Sequence, residues 1–233
     1  ITITNYKNSQ LINTTITTVD STKLNLTNIT ITNNNSKTAV IINSDEANIT
    51  YNNITVQNNA IEITNISKLI IVGNNIKSNY NKNTTTILIK DSQFTNATIK
   101  ENNITTQNTP EITGNDIKVV SIGMYNTTPI NMTYNNITTK LDTTANISDK
   151  IYAIELINPE IKTINSRRSS STSYNNIEVV AKNYACALNI KNNTATEFNS
   201  NNITLSAKNT AAIIINSSKQ LNLSSNNIKS ENS

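Results

Sequence analysis

The triplet Asn-Asn-Ile occurs seven times, at residues 52–54, 74–76, 102–104, 135–137, 175–177, 201–203 and 226–228. A single-Asn variant, "LTNITIT", runs from Leu26 to Thr32. Internal repetition at a few tens of residues is the signature of a solenoid, in which each repeat buries its apolar face only against its neighbours. Counting back from each repeat's Ile gives a pattern. Thirteen residues earlier stand Ile41, Ile63, Met124, Ile190 and Ile215. Fifteen earlier stand Ala39, Ile61, Ile122, Leu188 and Ile213, each preceded by a small or short residue such as Ala60, Ser121 or Ala187. Eleven earlier a polar residue recurs: Asn43, Asn65, Asn126, Asn192 and Ser217. Seven and five before the Ile come Ala47 and Ile49, Leu69 and Ile71, Ala97 and Ile99, Ile130 and Met132, Thr196 and Phe198, Leu221 and Leu223. Alternation with period two marks strands with one face inward.

Three short strands per repeat, separated by polar corners, predict an all-β chain. The expected fold is a single-stranded parallel β-helix of about 8–9 coils, a rod roughly 40 Å long at the ordinary strand spacing. Composition agrees. Of 233 residues, 47 are Asn, 38 Ile and 36 Thr. Ile and Thr are β-branched and suit strands. Asn tolerates the left-handed backbone region, and with only 3 Gly present it is the expected turning residue. The second Asn of each triplet is therefore expected to stack as a hydrogen-bonded ladder: Asn53, Asn75, Asn103, Asn136, Asn176, Asn202 and Asn227. A low-GC genome would explain the abundance of Asn and Ile, but not their recurrence in register.

Residues 1–233 read as one β-helical domain and as a segment of a longer solenoid, since neither end has the look of a polar cap. Two coils carry extra residues, expected as loop insertions near 110–118 and 166–173. The second contains Arg167 and Arg168, the only arginines, which make it a candidate binding loop.

The sequence shows little chemistry. It has no His, and its 15 acids are scattered. Glu62 and Glu155 share an outward position of the first strand but lie on separate coils, whereas glycoside hydrolysis needs two carboxylates at a set separation. No catalytic residue, cofactor or metal is expected. Cys186, the lone cysteine, lies in a buried-strand pattern and reads as an inert thiol. The net charge of +4 is spread without a basic stripe, so nucleic acid is not an expected partner. No apolar run is long enough to insert in a membrane as a helix. The outward row Thr55, Lys77, Thr105, Thr138, Glu178, Thr204, Lys229 is broken by charges, which argues against an ice-binding threonine face. Among 18 Asn-x-Ser/Thr matches, Asn13, Asn34, Asn83, Asn126, Asn146 and Asn216 are candidate N-glycosylation sites. Asn53, Asn103, Asn136 and Asn202 are expected to stay bare as ladder members.

From about Leu24 to Ser230, the Ile-rich and Asn-rich coils with recurring "NNI" resemble the right-handed parallel β-helix superfamily of pectate lyases and related surface proteins. They look closer still like the large adhesin-like cell-surface proteins of methanogenic archaea. The resemblance implies an asparagine ladder at the turn between second and third strands. It also implies an extracellular, structural or adhesive role, as a stalk or filament segment on the cell surface. The partners it implies are copies of the same chain and glycans of other cells. The alternative is a carbohydrate-active β-helix: a polysaccharide lyase, a hydrolase or a viral depolymerase.

Overall fold

The computed structural model describes residues 2–4, 10–109, 112, 116–127, 130–141, 148–159 and 170–231. These residues build an all-β solenoid of parallel strands with no helix among them. One sheet stacks nine strands in sequence order, from Gln10–Ile12 to Asn227–Glu231. Its register runs Ile31, Ile54, Ile76, Ile104, Ile137, Ile177, Ile203, Ile228. From Ile54 onward this is the triplet isoleucine, one per rung. All but Ile228 are fully buried, and each buried isoleucine is worth about 1.5–3 kcal/mol in hydrophobic transfer.

The first and second strands of the coils join in a single 15-stranded sheet. Val40–Thr50 runs through both positions and pairs with Ile61–Thr64 and with Lys68–Val72. Separate strands at this corner thus merge where the chain bends gently. The first-strand columns run Ile61, Ile87, Ile122, Ile154, Leu188, Ile213 and Ile63, Ile89, Met124, Leu156, Ile190, Ile215. In the coil before Ile61, the partners are Val40 and Ile42. The count of thirteen pointed to Ile41, which instead faces outward beside Glu62. That coil is one residue shorter between its first strand and its triplet, and a slip of one inverts the face.

The interior is not uniformly apolar. Thr86, Thr106, Ser121 and Thr139 are fully buried and joined hydroxyl to hydroxyl, each step 2.7 Å. Buried hydroxyls cost little when each finds a partner. First-strand and third-strand positions alternate around this chain, so a polar residue on one is met by a polar residue on the other.

One expectation about the corners is corrected. The Asn-Asn pair does not adopt the left-handed conformation. The residue just before it does: Tyr51, Gly73, Glu101, Tyr134, Tyr174, Ser200 and Ser225 all have φ between 55° and 67°, as does Asn28 at φ 54° in the coil before them. Asn does turn the other corner, at Asn65, Asn126 and Asn192, each with φ 55°. The C-terminal parts of the two stretches expected as insertions are strand. Ser170–Ser173 is a strand paired with Asn131–Thr133 and Thr194–Asn199, and Asp116–Lys118 opens the strand Asp116–Tyr125. Residues 166–169, with Arg167 and Arg168, and most of 110–115 lie outside the described residues.

Candidate functional site

The corner ahead of the third strand carries two amide ladders. The inner one was not foreseen and is formed by the first Asn of each pair. Asn52, Asn74, Asn102, Asn135, Asn175 and Asn201 are 1–2% exposed. Each Oδ1 from Asn74 onward accepts both the backbone N–H and the Nδ2 of the asparagine one coil earlier, at 2.9–3.0 Å. Each Nδ2 also donates to a backbone carbonyl, as from Asn102 to Ile71 and from Asn135 to Ile99. The ladder therefore satisfies the one corner N–H that faces no carbonyl. It stops at Ile29, whose N–H takes Asn52 Oδ1 at 2.9 Å.

The outer ladder is the one read from the sequence. Asn75, Asn103, Asn136, Asn176, Asn202 and Asn227 each donate Nδ2 to the Oδ1 of the preceding member, at 2.9–3.1 Å. These residues, with Asn53, are exposed. Their side chains point outward, so inward orientation does not separate them from other sequons. In Asn103, Asn136 and Asn202 one Nδ2 hydrogen is committed to the stack, whereas Asn53 only accepts.

Beside this ladder stand exposed tyrosines. The rings of Tyr134 and Tyr174 stack at 5.2 Å with an interplanar angle of 7°, and Lys100 Nζ lies 5.7 Å from the Tyr134 centroid. The Tyr51 ring lies over Gly73, where a Cβ would come within 2.6 Å of it. All three tyrosines hold φ of 56–59°, a costly conformation for a bulky side chain. They remain 55–61% exposed, so burial does not repay the strain.

A second cluster sits on the outer surface of the first-strand sheet, around Glu155. Gly123, Glu155 and Asn189 are aligned on successive rungs. Glu155 is 1% exposed. Its Oε2 accepts Lys118 Nζ at 2.6 Å and the Tyr125 hydroxyl; its Oε1 accepts Asn189 Nδ2 at 2.9 Å. Lys118 Nζ is 5.8 Å from the centroids of both Tyr125 and Tyr152. Gly123 makes the room, since a Cβ there would meet Thr85 Cγ2 at 2.7 Å and Tyr125 Cε2 at 2.9 Å. Burial, and then the Glu155 charge, push the Tyr125 phenol well above its ordinary range. Cys186 belongs to a small apolar group with Val120 and Tyr152, separate from the central core. It is fully buried, and burial pushes its thiol up to about 12.

The remaining sequence candidates are dispersed. Glu62 pairs with Lys90 at 2.8 Å, and Leu88 and Gly123 separate it from Glu155 in the register. Asn13, Asn34, Asn83 and Asn216 are exposed. Asn126 is half-buried and donates to Asp91 Oδ1 at 2.6 Å. Asn146 lies outside the described residues. The row from Thr55 to Lys229 runs in register along the outside of the nine-stranded sheet. Among the described residues no group of three His, Cys, Asp or Glu is placed to hold a metal ion. The chain matches no protein-family model, no curated protein and no solved structure.

Proposed function

We propose that this chain is a stretch of an extracellular, adhesin-like surface protein of the kind found in methanogenic archaea. In that role it is a stiff stalk or filament segment that associates end to end. Its outward features, above all the tyrosine corner and the outer amide row, meet glycans of other cells. The observation that carries this reading is the unbroken register of nine parallel rungs, with paired amide ladders along one corner. A continuous side-chain ladder adds axial cohesion and does no chemistry. The tyrosines support the adhesive part, because flat exposed rings present apolar faces to sugars while amides bond hydroxyls.

Sedimentation and negative-stain imaging of the purified chain test the assembly. Rods longer than one chain, with the coil direction preserved, are expected; monodisperse single rods at high concentration refute end-to-end association. A glycan panel tests the surface role: retention that falls when Tyr134 and Tyr174 are both changed to Ser is expected, and no retention refutes it. Release of new reducing ends or unsaturated sugars from any polysaccharide would favour the carbohydrate-active alternative instead.

A further inference from the structure

Lys118, Glu155 and Asn189 bring an amine, a carboxylate and a carboxamide together on three successive rungs. Lys118 lies on the strand Asp116–Tyr125, Glu155 on Ser148–Ile157 and Asn189 on Tyr184–Lys191. The amine and the carboxamide nitrogen are held on opposite oxygens of one carboxylate, at 2.6 and 2.9 Å. That carboxylate is 1% exposed, while the Lys118 side chain stays 42% exposed. The ring centroids of Tyr125 and Tyr152 each lie 5.8 Å from the amine. A structural ion pair needs only the amine and the acid. The amide seated on the same acid is what a transamidation requires, because one group can then remove a proton from the nucleophile and return it to the leaving group.

We infer that Lys118 and Asn189 form an intramolecular amide cross-link, with Glu155 as the proton carrier. Glu155 takes a proton from the Lys118 ammonium. A turn of the lysine stem brings the neutral amine to Asn189 Cγ, and a new N–C bond forms. Glu155 then delivers its proton to the Asn189 nitrogen. The old C–N bond breaks, and ammonia leaves and is protonated in water by the second ammonium proton. The balance is one ammonium plus one carboxamide giving one secondary amide plus one ammonium ion, with no oxidant or other co-reactant. The product ties together three rungs that are otherwise held by backbone hydrogen bonds and packing. This site does not depend on the role proposed above for the rod.

The test is the intact mass of the folded chain and a tryptic map. The expected result is a chain about 17 Da lighter than its sequence, the mass of one ammonia, with a branched peptide joining Lys118 to Asn189. Lys118→Arg keeps a cation for Glu155 but cannot close the amide, so it restores the full mass. Glu155→Gln restores it too, and circular dichroism of both variants reports whether the parallel sheet is retained. A folded wild-type chain of full mass, cut by trypsin after Lys118, overturns the inference. So does a loss that maps to a succinimide at Asn189, or a loss of water joining Lys118 to Glu155.

Discussion

Replacing Asn135 by Ala removes four hydrogen bonds from a dry corner. Asn135 Oδ1 accepts the Asn102 N–H at 3.0 Å and Asn102 Nδ2 at 2.9 Å. Its Nδ2 donates to the Ile99 carbonyl at 2.9 Å and to Asn175 Oδ1 at 3.0 Å. Asn102 Nδ2 keeps two other acceptors, the carbonyls of Ile71 and Lys100. The Asn102 N–H is left with none, and the Ile99 carbonyl loses its amide donor. About 1 kcal/mol for each of the two Nδ2 bonds, plus about 1–3 kcal/mol for the stranded buried N–H, gives a loss of about 3–5 kcal/mol. Asn136→Ala, one residue along, breaks two exposed bonds, to Asn103 and from Asn176. Water replaces both, and Ala is no worse in a strand than Asn, so the loss is about 1 kcal/mol or less. Urea unfolding followed by circular dichroism measures both variants, with the midpoint shifting at constant slope. If Asn136→Ala costs as much as Asn135→Ala, or Asn135→Ala costs under about 1 kcal/mol, the inner ladder does not hold the corner together.

Gly73 combines φ +67° with a ring 2.6 Å from its virtual Cβ, so Gly73→Ala is expected to destabilise by about 1–3 kcal/mol. Adding Tyr51→Asn recovers part of that loss; no recovery in the double variant's thermal midpoint would mean the ring is not the obstacle. Thr106→Val cuts the buried hydroxyl chain at two 2.7 Å bonds and is expected to cost about 2 kcal/mol. The outward Thr105→Val, compared by the same urea titration, should cost nothing measurable. Cys186 has its thiol raised from 9.0 to about 12, so the unfolded chain loses this proton first. The cysteine's stabilising contribution is complete below pH 9 and is lost as pH rises towards 12. The stability difference between wild type and Cys186→Ala should therefore shrink across that window, and a difference constant with pH would contradict the buried, neutral thiol.

The parallel solenoid was legible because its cause is local and periodic. Isoleucines two residues apart must share a face, and a triplet that returns in register must stack. Ile54, Ile76, Ile104, Ile137, Ile177 and Ile203 form the column that counting along the chain implies. Side-chain direction at the corners was not legible, since it depends on which residue takes the left-handed conformation. Tyr51, Glu101, Tyr134 and Tyr174 take it, although propensity favours the asparagines beside them. That choice turns the first Asn of each pair inward, where its amide reaches backbone groups of neighbouring coils, and leaves the second outside. Ile41 was misplaced because one residue of coil length exchanges the two faces of a strand. The cluster at Glu155 had no signature at all. Its members lie 37 and 34 residues from the glutamate, and unequal coil lengths hide such neighbours from any fixed period. The sequence by itself determined the columns, because alternation and recurrence are properties of the chain. Only the tertiary structure decided which polar groups meet between columns, because that depends on how far each coil travels before it returns.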